Sequence, residues 1–184
     1  YFHYMNECHL QSNIRLAEQK QEGRTEEDSL AATAKADQLL NEIEEMVAKN
    51  CTAIEIARTP DELFRHKKEG KKSIMMGIEN GYAIGKDLTN VERFRRRGIV
   101  YMTLCHNGDN DICDSARGNN EHNGLSEFGV EVVKEMNRVG LMIDLSHAGE
   151  KSFYDALELS KTPIVCSHSS CRSLCDHPRN LTDE

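Results

Sequence analysis

The chain has 184 residues, enough to bury the core of one domain but short of the ~250 that a closed eight-stranded α/β barrel needs. With 31 acidic residues against 23 basic ones, its net charge of −8 argues against a nucleic-acid partner, which would show as a basic patch. No apolar run approaches the ~20 residues of a membrane span, and none of the seven cysteines forms a Cys-x-x-Cys pair, which removes the zinc-ribbon and thioredoxin readings.

Residues 1–24 are polar and mixed, and read as one frayed or helical segment broken at Gly23. From about Glu26 to Lys49 the pattern is helical, with Leu39, Leu40, Ile43, Met46 and Val47 on one stripe. A short β-like run covers 52–57. Thr59 then suits a helix cap and Pro60 the first helical position, with an end near Gly70. A strand is predicted over 73–79, followed by a turn at Gly81 and Gly85. A short helix near 90–97 carries Arg93, Arg95, Arg96 and Arg97, read as a solvated helix end whose cations sit at the negative end of the macrodipole.

The next strand is predicted over 99–106. Residues 107–124 then form a long loop rich in Asn, Asp and Gly, of the length that usually carries function in a compact domain. Ser126 can cap the helix bearing Phe128, Val132, Val133, Met136 and Val139, and Gly140 stops it. A strand over 141–147, a helix over 150–160 and a strand over 163–168 complete the pass. Alternating helices and buried strands imply an α/β fold with a parallel sheet.

The four predicted strands end on Glu79, His106, His147 and His168. In a parallel barrel such ends converge on one face, where the chemistry is placed. A single strand ending in His means little, but Glu with three His in succession suggests a metal-centred hydrolase. Of the four, only Glu79 has two ligand oxygens with which to bridge two metals. Asp144, in the strand before His147, points with Ser146, and a supporting bond to the site or a core hydrogen bond would both suit it. His3, His9, His66, His122 and His177 lack a strand-end context. Ser167, Ser169 and Ser170 lie outside any nucleophile elbow and read as turn residues. Cys105 and Cys166 read as small core residues, and Cys171 and Cys175 as packing residues that could share a helix face.

The motifs Glu79-Asn80-Gly81, Tyr101-Met-Thr-Leu-Cys-His106, Gly124-Leu-Ser-Glu-Phe-Gly129, Glu135-Met-Asn-Arg-Val-Gly140, Ile143-Asp-Leu-Ser-His147, Ser167-His-Ser-Ser170 and Arg179-Asn180 resemble the renal (membrane) dipeptidase family, metallopeptidase family M19. The resemblance runs from about residue 73 to the end. It implies part of a (β/α)8 barrel of TIM type, with residues 1–184 as one segment of that domain and its N- and C-terminal parts missing. It also implies two zinc ions bridged by Glu79, with His147 and His168 as ligands of the second metal. His106 corresponds to the His that contacts substrate and stabilises the oxyanion, and Arg179 to the Arg that grips the substrate. The family usually has Glu-Gly-Gly where Asn80 stands here. The upstream His-x-Asp and the downstream proton-handling Asp of the family are expected outside residues 1–184.

The expected activity is hydrolysis of a dipeptide by a metal-activated water, with a dipeptide substrate and a homodimer as the partners to look for. The rival readings are another amidohydrolase-type metal hydrolase on the same scaffold and a non-catalytic homologue. The compartment stays open, the cytoplasm being favoured for this segment taken alone.

Overall fold

The computed structural model describes residues 25–184, so the reading of 1–24 and of His3, Cys8 and His9 lies outside the described residues. Helix α1 (Glu26–Lys49) opens with a capping box in which Thr25 and Asp28 each bond the other's backbone N–H. Leu40 and Val47 of its predicted stripe are buried, with Ile43 and Met46 packed against the core. Strand β1 (Ile54–Ile56) leads to α2 (Pro60–Lys68), where Thr59 and Glu62 form a second capping box and Pro60 occupies the first turn.

The strand predicted over 73–79 is two strands, β2 (Lys72–Ile74) and β3 (Met76–Ile78), with the exposed Met75 between them. Each faces a different neighbour: β2 pairs in parallel with β1, and β3 in parallel with β4 (Ile99–Thr103). The register shifts between Met76 and Gly77. Gly77 lies against the ring of Tyr101, where an added Cβ would sit 2.2 Å from the ring, so no larger residue fits there. A 3₁₀ turn (Gly81–Ile84) and α3 (Thr89–Arg96) connect β3 to β4.

The arginine run does more than end a helix in solvent. Arg93 and Arg97 both bond Asp37 of α1, at 2.6 and 3.0 Å, and Arg97 also reaches Glu44, so they tie α3 to α1. Helix α4 (Glu127–Val139) starts at Ser126, which accepts from the Gly129 N–H, and stops at Gly140 in the left-handed region, φ 70°. Strand β5 (Met142–Asp144) pairs in parallel with β4, and α5 (Glu150–Leu159) follows.

The strand predicted over 163–168 is reduced to a single parallel bridge, Val165 beside Asp144, because the side chains of Asp144 and Ser146 take the next N–H groups, those of Ser167 and His168. Cys171 and Cys175 sit in a turn and not on a helix face. The core lies between the β3–β4–β5 sheet and helices α3 to α5, with Phe94, Ile99, Met102, Val132, Val133, Met136 and Ile143 fully buried. Among the described residues no helix is long and apolar enough to cross a membrane.

Candidate metal centre

Register explains why three distant histidines become neighbours. Thr103 pairs with Asp144, and Asp144 pairs with Val165. His106, His147 and His168 each lie three residues beyond one of these aligned positions, so they emerge side by side at the C-terminal ends of the sheet. Glu79 directly follows β3, whose last residue Ile78 pairs with Met102, and so stands beside them.

Side chains then meet around the Glu79 carboxylate. Its Oε1 lies 3.1 Å from His168 Nε2, 3.3 Å from His147 Nε2 and 3.7 Å from His106 Nε2. The Nε2 atoms of His147 and His168 are 2.9 Å apart, and the His106 and His147 rings lie 4.2 Å apart between centroids. One ligand atom each from Glu79, His106 and His147 falls within a 4.8 Å circle. All four strand-end residues read from the sequence are therefore brought to one place.

Two backbone positions aim this cluster. His147 has φ 74°, a conformation that costs a non-glycine residue about 1–3 kcal/mol and concentrates at functional sites. Asn80 has φ 75° and accepts from the Tyr82 N–H, which opens the 3₁₀ turn. Asn is among the side chains that tolerate a positive φ.

The long loop over 107–124 is a brace for the centre. Asp109 accepts from the Ser115 and Asn119 N–H groups at 2.7 and 2.6 Å, and Asp114 from those of His122 and Gly124 at 2.9 and 2.8 Å. Asn110 donates to Leu104 O and to Asn80 Oδ1. Ser115 Oγ donates to His106 O at 2.5 Å, and the Ala116 N–H donates to His147 O at 2.8 Å. The loop thus clamps the backbone of both histidines. Its composition signalled a functional loop, but no local pattern signalled these partners.

The electrostatics suit a cation. Contacts with His147 and then His168 hold the Glu79 carboxyl well below the usual carboxylate range. Burial pushes the His147 imidazole down and keeps it neutral, as a ligand must be. Its Nδ1 is buried without a partner, so the working edge of this ring is the Nε2 edge that faces Glu79 and His168. Among the described residues no Lys or Arg pairs with Glu79. A carboxylate ringed by imidazole nitrogens is a donor set that fits zinc.

Arg179 stands at the rim. Its Nη2 donates to His168 O at 3.3 Å, and its Nε is buried with no partner. Burial lowers its pKa. Neither Asp176 nor Asp183 pairs with it among the described residues; Asp183 accepts from Ser173 instead. The other histidines among the described residues have structural bonds: His66 is fully buried against Ser73, Arg65 and Glu55, His122 bonds Asn110 O, and His177 Nδ1 accepts from the Arg179 N–H.

Residues 7–184 match the membrane dipeptidase family, peptidase family M19. Among curated relatives, dipeptidase verJ of Clonostachys rogersoniana is 35% identical over 158 residues, which are 85% of this chain and 40% of the relative. Among solved structures, the probable dipeptidase PvdM of Pseudomonas aeruginosa superposes with a TM-score of 0.83 at 30% identity, covering 89% of this chain and 42% of that one. A metallopeptidase of Rhodobacter sphaeroides, liganded with a phosphinate mimic of the dipeptide L-Ala-D-Ala, superposes with a TM-score of 0.73 at 30% identity over 88% of this chain and 46% of its own. The chain therefore spans less than half the length of these relatives.

Proposed function

The chain belongs to the membrane dipeptidase family, peptidase family M19, and from that premise we propose that the full-length protein is a zinc-dependent dipeptidase whose catalytic face lies at the strand ends described above. The observation that carries this reading is the convergence of Glu79, His106, His147 and His168 from four strand ends, with Glu79 Oε1 within 3.1–3.7 Å of all three imidazoles. The parallel array is read as an arc of a (β/α)8 barrel. The further metal ligands and the proton-handling Asp are expected from the rest of that longer protein.

In this reading His147 and His168, through Nε2, and the Glu79 carboxylate are the residues of this chain that would hold zinc. Bound there, zinc supplies Lewis acidity and a water of lowered pKa at the scissile carbonyl. The chain's own residues do the rest. His106, buried and fixed through its carbonyl by Ser115, directs its ring at the same point and donates to the oxygen on which negative charge develops. Arg179 has no counter-ion among the described residues and is suited to hold the substrate's free carboxylate, because a planar guanidinium binds that group with two parallel bonds. Recognition of that carboxylate restricts cleavage to short peptides.

The test uses the full-length protein. Dipeptides, N-acetylated dipeptides, tripeptides and simple amide or ester substrates are compared before and after chelation, and again after zinc is restored. The reading expects zinc in the purified protein and hydrolysis of free dipeptides that is lost on chelation and recovered with zinc. Turnover of other amides in preference to dipeptides would assign a different metal hydrolase, and zinc binding with no turnover would mark a non-catalytic homologue.

A further inference from the structure

Behind His168 lies a chain of side chains that the reaction does not touch. Asp144 is fully buried. Its Oδ1 accepts from the backbone N–H groups of Ser146 and Ser167, at 3.1 and 2.9 Å. Its Oδ2 accepts from Thr103 Oγ1 and from Ser167 Oγ, both at 2.6 Å. Ser167 Oγ in turn lies 2.8 Å from His168 Nδ1, and the His168 N–H donates to Ser146 Oγ at 3.0 Å.

The direction of each bond follows from what the groups can give. Burial raises the pKa of the Asp144 carboxyl, but the bonds from Ser167 and Thr103 outweigh it and hold the group ionised, with acceptors only. The single hydroxyl proton of Ser167 must therefore point at Asp144, since two facing acceptors at 2.6 Å would repel. That leaves Ser167 Oγ only as an acceptor toward His168. The 2.8 Å contact is then His168 Nδ1–H donating to Ser167, and Nε2 of the same ring faces Glu79 Oε1 at 3.1 Å and His147 Nε2 at 2.9 Å.

We propose that Ser167 is a positioning residue, which with Asp144 keeps a proton on His168 Nδ1 and turns Nε2 toward Glu79 and His147. The use of that Nε2 for zinc rests on the metal reading above, while the Nδ1 proton does not. Hydrogen bonds of this kind behind a metal ligand typically carry 10–100-fold in metal affinity.

The test has two readouts on the full-length protein. The first is the His168 tautomer in metal-free, ¹⁵N-histidine-labelled protein, read from two-bond ¹H–¹⁵N couplings near pH 8, above the ordinary histidine pKa of about 6.5. The second is zinc affinity by chelator competition. Wild type should show Nδ1–H at His168. Ser167→Ala, at an exposed residue, should leave a mixture and weaken zinc binding by about 10–100-fold, and Ser167→Thr should keep the hydroxyl and the tautomer. Asp144→Asn is the sharper variant. Its oxygen stays with the two backbone N–H groups, its amide donates to Ser167, and Ser167 must then donate to His168 Nδ1, which moves the ring proton to Nε2. A wild-type His168 without a proton on Nδ1, or a ring protonation indifferent to Ser167→Ala, would overturn the proposal. The expected tautomers in a protein that binds no zinc would sink the metal reading and leave the positioning role standing.

Discussion

Glu55 and Glu79 both sit among cationic or imidazole groups, and they differ in kind. Glu55 of β1 bonds Arg65 and Lys71 at 2.8 Å each, with His66 at 3.3 Å. Glu79 meets three imidazoles at 3.1–3.7 Å. Both are held below the ordinary carboxylate pKa: Glu55 to about 2, by the Arg65 bond and then the Lys71 bond, and Glu79 by His147 and then His168. A depressed pKa therefore does not separate the two. The partners do. Arg65 and Lys71 carry permanent protons and charges, so Glu55 is already neutralised. The partners of Glu79 offer lone pairs, one ring is buried in its neutral form, and a cation is the natural complement.

The largest expected effect breaks the Glu79 side of this contrast. Glu79→Gln keeps the volume and removes the charge. In the full-length protein zinc content should fall, and kcat/KM should drop about 10³-fold or more, the several kcal/mol that a bound metal contributes. The melting temperature of the metal-free protein should change far less. Elemental analysis beside kinetics checks this; unchanged zinc and turnover would make Glu79 another Glu55.

His106→Ala sharpens the same side. His106 is close enough to Glu79 and His147 to act as a ligand, yet it is also placed to donate to the substrate oxygen. As an oxyanion donor its loss should lower kcat by about 10²–10³ while zinc content stays at the wild-type level. Zinc lost in parallel with activity would instead make it a metal ligand.

The contrast also shows what a sequence can and cannot display. The caps at Thr59 and Ser126 and the stop at Gly140 are local patterns and are found where the sequence puts them; the apolar runs that end on Glu79, His106, His147 and His168 are local too, but the strands they form are shorter than expected. The break at Met75 is not local: β2 and β3 belong to different neighbours, and that choice depends on β1 and β4. The strand expected over 163–168 shrinks to one bridge because Asp144 and Ser146 capture the N–H groups of Ser167 and His168 from more than 20 residues away. Asp144 joins the site through Ser167, and Ser115 through the carbonyls of His106 and His147, partners that no local pattern pairs with them. Nothing in the spacing around Ser115 announces that it would hold the His106 carbonyl.

Arg179 tests the rim of the site at a lower level. Lysine would replace a two-pronged group with a point charge, so Arg179→Lys should raise KM for a free dipeptide by about tenfold or more, with a smaller change in kcat. The corresponding dipeptide amide has no carboxylate to hold, and its kinetics should hardly change. Equal losses on acid and amide would return Arg179 to the scaffold, held only by its bond to His168 O.

The smallest effect is expected at Glu55, and it completes the comparison from the other side. The Glu55 carboxyl is lowered in the folded protein from 4.5 to about 2. A lowered carboxylate contributes stability that is fully present above the unfolded value and is lost as pH falls through the folded one. The contribution of Glu55 is thus whole above about pH 4.5 and vanishes toward pH 2. Glu55→Gln should flatten that part of the acid stability profile, read as the difference in melting temperature between variant and wild type across the window. The flattening should be modest, because Arg65 and Glu55 are partly exposed and ion pairs of that kind are weak. Zinc content and kcat/KM should not move, since no group of the metal centre contacts this corner. If Glu55→Gln reduced zinc or turnover as Glu79→Gln does, the distinction between a neutralised carboxylate and a ligand carboxylate would collapse, and the imidazole cluster would lose its claim to be a site where charge was left for a metal to balance.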